Sequence, residues 1–340
     1  MRYHEGVQLL RAAYPPLASK GAYRVVMTQL SPAKEWTHET PPVPKRGWFR
    51  RRDIWGLLAL GLVTAIWGYC NILIRQTEAV MAPSVLLVLR YALVPVFGWP
   101  WLLRTKIPLQ LWLKGLGVGM FLGTATWAQA MGMETVTVDQ VAFITALYVI
   151  MVPVAIAVMK RRRPSWLVLA VALTSLLGVA ILIGNFTLHL AMGTLWSFVA
   201  AVLATGQIIA TAKVSRLMGT LELTVVETIG ATLTLALGLA LQAAYHPDVL
   251  RGFGDWSWVT WGRLGFLGLL GTLVACWLQI WGQSKISASE AALAFNVEPV
   301  WTAVFAWSIL RQTLGWVQMT GALLILGSIT VLARKPDQDD

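Results

Sequence analysis

Long apolar runs separated by short polar segments dominate the chain from residue 54 onward. Each run is continuous and close to the ~20 residues that an α-helix needs to cross about 30 Å of hydrocarbon, whereas the strands of a membrane barrel are shorter and alternate in polarity. Ten segments of this kind are predicted: 54–74, 83–103, 110–131, 138–159, 165–183, 191–212, 223–244, 262–283, 288–310 and 316–333. The pattern therefore predicts an all-α membrane protein with ten transmembrane helices.

The composition agrees with a chain whose surface faces lipid. Of its 340 residues, 57% are hydrophobic and 13% are charged, whereas a soluble domain has about 25% charged residues. The two cysteines, Cys70 and Cys276, both fall within apolar segments, so neither a disulfide nor a cysteine zinc site is predicted. We expect the lipid bilayer to be a principal partner of this surface.

Residues 1–50 differ from the rest of the chain. They carry scattered charges and no long apolar run, and they include six prolines: Pro15, Pro16, Pro32, Pro41, Pro42 and Pro44. The absence of an apolar stretch followed by a small-residue cleavage site argues against a secretory signal peptide. We interpret 1–50 as a disordered cytoplasmic N-terminal tail. Synthesis from Met27 is the alternative, which leaves open whether residues 1–26 are translated.

Positive charges are distributed unevenly between the two sides of the predicted helices. With the N-terminus in the cytoplasm, seventeen lysines and arginines lie on the cytoplasmic side: Lys45, Arg46, Arg50, Arg51, Arg52, Arg104, Lys106, Lys114, Lys160, Arg161, Arg162, Arg163, Lys213, Arg216, Lys285, Arg334 and Lys335. Four lie on the outer side: Arg75, Arg251, Arg263 and Arg311. The positive-inside rule then predicts a multi-pass protein of the plasma (inner) membrane with both termini in the cytoplasm. The same bias accounts for the formal net charge of +11 without a nucleic-acid partner.

Two internal similarities, one good and one weak, divide the chain into halves. A shift of 150 residues places WAQAMGMETV over WLQIWGQSKI. This shift aligns three pairs of identical residues: Trp127 with Trp277, Gln129 with Gln279, and Gly132 with Gly282. A shift of 138 residues places WGYCNILIR over TGQIIATAK, which is the weaker match. We therefore predict a first repeat over 54–183 and a second repeat over 191–334.

Because each predicted repeat holds five helices, the second must enter the membrane in the opposite orientation. The loop charges agree with this inversion. Lys160–Arg163 after the fourth helix carries four cations, and the corresponding loop Leu310–Thr313 after the ninth carries one. Inverted repeats are typical of transporters, in which two related halves exchange inward-open and outward-open shapes around a site between them. The pattern therefore favours transport by alternating access.

Three short motifs occur in the order and spacing of a known family: WG from Trp67 in helix one, LRY from Leu89 in helix two, and VEPVW from Val297 in helix nine. Together they resemble the EamA family of the drug/metabolite transporter (DMT) superfamily over about residues 54–334. The resemblance implies a ten-helix exporter or exchanger of small organic metabolites, such as amino acids, amines or drug-like compounds. It also implies a substrate cavity between the halves, and neither an enzyme nor a bound cofactor.

The segment SEAALAFNVEPVW, from Ser289 to Trp301, places polar residues inside an apolar run. A charged side chain in lipid costs about 2.5–3.5 kcal/mol on insertion scales, so Glu298 should face the protein. Pro299 removes one backbone hydrogen bond and strains the turn before it. Because Asn296 and Glu298 lie about 200° apart around a helix, we expect one to face substrate and the other a neighbouring helix. Glu298 either ties helices together or binds substrate or protons.

Arg90 and Glu227 are the other charged candidates for the transport path. Arg90 lies deeper in helix two than a charge that marks a helix end. It could extend to the membrane interface, pair with Glu298 or Glu227, or bind an anionic or zwitterionic substrate. Glu227 occupies a matching depth in helix seven. Proton coupling through Glu298 and Glu227 is a hypothesis, and the choice between coupling and facilitated exchange stays open.

Four uncharged polar residues complete the candidate path. Gln129 and Gln279 recur at equivalent positions of the two repeats, and buried amides could hydrogen-bond a polar substrate or join helices. Tyr148 and Asn71 are polar side chains in the middle of helices, and the sequence does not determine which way they face. The identity of the substrate and the direction of transport are also left open.

Other functions of a polytopic membrane protein have weaker support. GFGD, Gly252–Asp255, matches the Gly-x-Gly-Asp pattern of membrane aspartyl proteases, which need a second intramembrane aspartate. Asp53, Asp139 and Asp248 lie at helix ends or in loops, so we interpret GFGD as a turn. All four histidines lie outside the predicted helices, and no metal site is predicted. A lipid flippase or scramblase, which needs a groove open sideways to lipid, is the alternative function. Homodimer formation is left open.

A reporter fused after Arg163 is expected in the cytoplasm, and one inserted within Pro247–Asp255 is expected outside, because the charge bias places these loops on opposite sides. A fluorescent protein that matures only in the cytoplasm and a phosphatase that is active only outside it measure the two locations. If both loops report the same side, the inverted-repeat prediction fails.

Overall fold

The computed structural model describes residues 51–184, 191–251, 255–313 and 315–333. Within these ranges every regular element is helical, and no strand is present. The predicted disordered tail 1–50 lies outside the described residues, as does the predicted basic pair Arg334 and Lys335. The prediction of an all-helical protein is confirmed for the part of the chain that is described.

The first part of the described chain forms six α-helices: α1 Arg51–Glu78, α2 Pro83–Leu102, α3 Leu109–Met133, α4 Val138–Thr145, α5 Tyr148–Met159 and α6 Trp166–Ile183. The second part forms seven: α7 Met192–Val214, α8 Thr220–Tyr245, α9 Trp258–Gly268, α10 Ala275–Gln283, α11 Ala288–Phe295, α12 Glu298–Leu310 and α13 Trp316–Ala333. A short 3₁₀ helix, Pro247–Leu250, follows α8, and a π-helical segment, Leu269–Val274, joins α9 to α10.

Eight helical segments among the described residues are long and apolar enough to cross a membrane: Ile54–Glu78, Pro83–Leu102, Val138–Met159, Trp166–Ile183, Met192–Val214, Thr220–Tyr245, Trp258–Gln283 and Ala288–Leu310. The apolar helix Trp316–Val331 is shorter. Helix α3 has 25 residues, but its glycines and polar side chains make it less hydrophobic. The chain is therefore a multi-pass membrane protein. The count of ten stays a prediction, in which α3 and α13 supply the two further spans.

Two of the predicted spans are interrupted in the middle. The first is divided between α4 and α5 at residues 146–147, and the second between α11 and α12 at residues 296–297. The backbone bonds at each break shorten from i→i−4 to i→i−3: Leu147 N–H donates to Ile144 O at 3.1 Å, and Val297 N–H donates to Ala294 O at 3.1 Å. The breaks thus fall at positions that the shift of 150 residues aligns, as a repeat would require.

Pro299 accounts for the second break. It lies within the first two positions of α12, where a proline's missing N–H would have had no helical partner. The strain that the sequence predicts before Pro299 is resolved by ending α11 at Phe295 and starting a new helix at Glu298. The carboxylate of Glu298 consequently lies at a helix N-terminus in the middle of a membrane segment.

The helix contacts of one half match those of the other. Helix α3 packs on α7 and α8, and its predicted counterpart, α9–α10, packs on α1 and α2. Similarly, α4 and α5 pack on α7, while α11 and α12 pack on α1. Each of these contacts made by a helix of one predicted half therefore has an equivalent contact made by a helix of the other half. This pattern agrees with the predicted repeat and does not determine how the halves are oriented in the membrane.

Glycines permit close helix approaches at equivalent places in the two halves. A Cβ atom at Gly132 would lie 3.3 Å from the carbonyl oxygen of Gly193, and one at Gly282 would lie 3.1 Å from that of Gly56. Gly132 and Gly282 are a pair that the shift of 150 residues aligns. Membrane helices pack through small residues in this way, because lipid provides little hydrophobic drive between them.

The two parts of the ninth predicted span differ in burial. In α11 every residue except Glu290 is buried, and the helix belongs to a core cluster that includes Leu60 and Val63 of α1 and Ile208 of α7. None of the residues of α12 is buried. The break therefore joins a half-helix that is fixed in the core to one that borders accessible space, and Glu298 lies at the junction.

Gly119→Ala should destabilise the protein, because a Cβ atom at this position of α3 would lie 2.8 Å from the carbonyl carbon of Glu227 on α8. That backbone cannot move aside without separating the helices, and overpacking of this kind costs about 1–3 kcal/mol. Gly117→Ala on the same helix is the matched control. Its added atom meets nothing within 4 Å, so alanine should be neutral or slightly stabilising. The stability of both variants is measured by the loss of monodisperse protein on heating in detergent. Equal heat sensitivity of the two variants would contradict the close approach of α3 to α8.

Candidate functional site

Glu298 is held by the side chain of Asn71 on α1. The Asn71 amide nitrogen donates to Glu298 Oε1 at 2.9 Å and to Thr302 Oγ1 at 3.1 Å. Thr302 is one turn further along α12 and donates to the Glu298 carbonyl at 3.1 Å. Asn71 is exposed and Glu298 is half-buried, so these groups line accessible space. The partial positive charge of the α12 N-terminus favours a carboxylate here.

Asn296 faces the opposite way from Glu298 and joins two helices. It is 1% exposed, and its amide nitrogen donates to Ser175 Oγ on α6 at 3.1 Å. Its carbonyl oxygen is buried and has no hydrogen-bond partner among the described residues. The two neighbouring polar residues are thus divided between a helix contact and an accessible space, with Asn296 in the first role.

Arg90 is buried and contacts the π-helical segment. Its Nε donates to Thr272 Oγ1 at 3.1 Å and its Nη2 to the carbonyl of Gly271 at 3.5 Å, while the guanidinium lies 5.2 Å from the ring centroid of Tyr91. Neither Glu298 nor Glu227 forms an ion pair with it in the described structure. The side chain is 8% exposed. Of the three alternatives that the sequence allowed, direct pairing with a glutamate is therefore not the arrangement observed.

The π-helical segment explains why a carbonyl is available to Arg90. Widening the helix at Leu269–Val274 changes the i→i−4 bonding, and such bulges occur frequently at functional sites. Thr272 Oγ1 donates to the carbonyl of Leu267, five residues earlier, at 2.9 Å. The Gly271 carbonyl accepts from Trp67 Nε1 on α1 at 3.1 Å as well as from Arg90. Helices α1 and α2 are therefore both anchored to this one turn.

Helix α1 links the surroundings of Arg90 to those of Glu298. Trp67 on α1 shares the Gly271 carbonyl with Arg90, and Asn71, one turn further along α1, donates to Glu298. Tyr148 on α5 packs against the same core cluster as Trp67. The structure thus brings together four of the predicted residues, Arg90, Glu298, Asn71 and Tyr148, around α1.

Glu227 lies in a separate buried network. It is 1% exposed, and its Oε1 accepts from Gln207 Nε2 on α7 at 2.8 Å, while the same nitrogen also donates to Thr211 Oγ1 at 3.0 Å. Its Oε2 is buried without a hydrogen-bond partner among the described residues. The contacts tie α7 to α8.

The two equivalent glutamines have different environments. Gln279 on α10 is buried and donates to Gln283 Oε1 at 3.2 Å, and Gln283 in turn donates to the Ile208 carbonyl at 3.2 Å. Gln129 on α3 is half-buried, and its side chain makes no hydrogen bond to another described residue. Gln279 is therefore bonded within α10 and linked to α7 only through Gln283, whereas the role of Gln129 is not defined by a contact.

Sequence reasoning missed Thr302, Thr272, Gly271 and Trp67. Thr302 could have been found, because it lies four residues after Glu298 and so on the same helix face. The Arg90 contacts could not, because nothing in an apolar run around Gly271 indicates a π-helical turn. The GFGD motif cannot be compared in full, since residues 252–254 lie outside the described ranges.

Thr272→Val should lower stability, because valine keeps the shape of threonine but leaves the Nε–H of buried Arg90 without its acceptor. An unsatisfied buried donor costs about 1–3 kcal/mol. Thr272→Ser retains the hydroxyl and is the matched control. Thermal unfolding of the two purified variants in detergent measures the difference, and a valine variant as stable as the serine variant would show that this contact holds nothing in place.

Comparison with known proteins places this fold in a transporter family. The model of the EamA-like transporter family matches residues 54–184 and 191–334. A protein of Archaeoglobus fulgidus named as an uncharacterized transporter is 24% identical over 293 residues, which cover 82% of this chain and 85% of that protein. One solved crystal structure has a similar fold, with a TM-score of 0.65 and 18% identity over 83% of this chain and 97% of the other. The resemblance read from the motifs is confirmed: this membrane protein belongs to the EamA-like transporter family.

Proposed function

We propose that this protein exports or exchanges small organic metabolites across the inner membrane by alternating access, with both termini in the cytoplasm and without enzymatic activity or a cofactor. The proposal rests mainly on one observation. Arg90 and Glu298 both lie beside α1 within predicted membrane segments, and each is held by neutral groups rather than by the other. Charged residues at such depth are costly and usually functional.

The unused hydrogen-bonding capacity of both groups suits a substrate with two charges. A guanidinium has five N–H donors, and Thr272 and Gly271 take two of them. The remaining donors match a carboxylate. Glu298 Oε1 accepts from Asn71, which leaves Oε2 for an ammonium group. Within the proposed substrate class, this arrangement favours amino acids and other zwitterions over drug-like compounds, with amines as the simpler ligand of Glu298.

The helix breaks support alternating access. Breaks at equivalent places of two related halves give each half a point at which its inner and outer parts can tilt separately. Inverted-repeat transporters bind substrate beside discontinuous helices of this type. The proposed direction of transport, export or exchange, rests only on the resemblance of this chain to its family. Homodimer formation is not required by the proposal.

Glu298 is the first candidate for the residue that couples transport to protons, and Glu227 is the second candidate. Glu298→Gln keeps the size and the acceptor for Asn71 but removes the titratable group. If Glu298 carries protons, net flux should lose its dependence on an imposed pH gradient, while substrate exchange persists. Glu134→Gln is the matched control, because Glu134 is an exposed carboxylate at the end of α3.

The measurement is flux into proteoliposomes with and without a pH gradient, at equal protein content. The probes are labelled neutral, acidic and basic amino acids and an aliphatic diamine, chosen after metabolites are compared in cells with and without the gene. Undiminished gradient dependence in the glutamine variant would exclude Glu298 as the coupling residue and leave Glu227. Transport of none of the probes by the unmodified protein would contradict the proposed substrate class.

A further inference from the structure

A small basic cleft opens at the predicted cytoplasmic end of the bundle, away from Arg90 and Glu298. It lies where α5 ends and where α6 and α11 begin. Its polar lining is Arg162, Arg163, Ser165 and Ser289, and its apolar lining includes Ile156 and Val168. None of these residues is used in the proposed transport path. Lys160 and Arg161 continue the same cationic run outside the cleft.

The backbone of this loop is fixed by a helix-terminating turn. Arg161 adopts a left-handed conformation with φ of 51°. Arg161 N–H donates to the Val158 carbonyl at 3.1 Å, and Arg162 N–H reaches back five residues to the Ala157 carbonyl at 2.9 Å. This is the bonding of a Schellman-type C-cap. Because the turn is closed by its own backbone, Arg162 and Arg163 are presented at the cleft by a defined loop.

The electrostatics of the cleft favour an anion. Four consecutive cations, Lys160–Arg163, lie in this loop. The starts of α6 and α11 add the partial positive charge of helix N-termini.

The size of the cleft distinguishes an anionic group from a metabolite. Its volume is about 20 Å³, and a cavity needs about 10–15 Å³ to hold one water. One oxygen of a phosphate fits, whereas an amino acid does not. Exposed apolar side chains adjoin the lining residues in sequence: Val158 at 70%, Met159 at 57% and Trp166 at 79% exposure. Apolar surface so close to the basic lining favours an anion that carries acyl chains over a free anion.

We propose that this cleft binds the headgroup phosphate of an anionic phospholipid, with Arg162 and Arg163 as its cationic ligands. The exposed side chains of Val158, Met159 and Trp166 provide apolar surface for the acyl chains. This bound lipid is an annular partner of the protein rather than its transported substrate. The inference is independent of the proposed function, since it concerns a different part of the molecule.

The test compares lipid retention by the full chain in detergent, measured by native mass spectrometry during titration with phosphatidylglycerol or phosphatidylcholine. The cleft variant is Arg162→Gln with Arg163→Gln. The matched control, Lys160→Gln with Arg161→Gln, removes the same charge from the same loop but leaves the cleft lining intact. Size-exclusion profiles and the location of the reporter after Arg163 establish that both variants fold and insert alike.

Phosphatidylglycerol should bind the unmodified protein more tightly than phosphatidylcholine. The cleft variant loses two charge-assisted hydrogen bonds to the phosphate, each about tenfold or more in affinity, and should bind about a hundredfold more weakly. The control loses only diffuse attraction to an anionic lipid, and its loss should stay below about thirtyfold. Equal losses would mean diffuse attraction to the loop and would overturn the site. Displacement of the lipid by millimolar inorganic phosphate would also overturn it, by showing a site for a free anion. Ala157→Leu, which fills the cleft without changing charge, should reduce binding as well, and unchanged binding would contradict the proposed location.

Discussion

The constraint on which the rest of the structure depends is that the membrane interior offers no water to an unpaired polar group. Three deviations from a continuous apolar helix are accordingly matched by a partner from another helix. Asn296 at the end of α11 meets Ser175, Glu298 at the start of α12 meets Asn71, and the carbonyl of Gly271 in the π-helical segment accepts two donors. Polar side chains thus mark the places where the backbone departs from regular geometry.

The partners chosen for the two charges are informative. A direct ion pair between Arg90 and Glu298 would satisfy both groups and leave neither available. Hydrogen bonds to charged groups return about 1.5–3 kcal/mol each, against about 2.5–3.5 kcal/mol for placing a charge in lipid. The bonds with Thr272 and Asn71 can therefore offset much of that cost without neutralising either charge. A charge that is oriented but not neutralised is what a site for a charged ligand requires, and this supports a functional interpretation over a structural one.

Much of the architecture could be predicted because the hydrophobicity of continuous segments determines it. Long apolar runs indicate the membrane spans, and their helical character is confirmed. The opposite facing of Asn296 and Glu298 follows from helical geometry alone. The interruptions at 146–147 and the π-helical turn at Gly271 could not be predicted, since they arise from packing between helices that are distant in sequence. The partners of Arg90 were missed for the same reason. The sequence shows that Arg90 lies well inside the helix that begins at Pro83. Its acceptors, however, lie about 180 residues away on a turn that has no distinctive composition.

The break between α11 and α12 links these observations. Helix α11 is packed in the core by its alanines, whereas α12 has no buried residue, so the two halves of one membrane segment differ in how firmly they are held. Glu298 lies at their junction, and Asn71 connects it to α1, which is also anchored to the π-helical turn through Trp67. A ligand that drew Glu298 away from Asn71 would remove a polar contact that holds α12 to α1, leaving only the packing between the two helices. Binding and helix movement would then share one hydrogen bond, which is the physical requirement for a substrate to alter which side of a transporter is open.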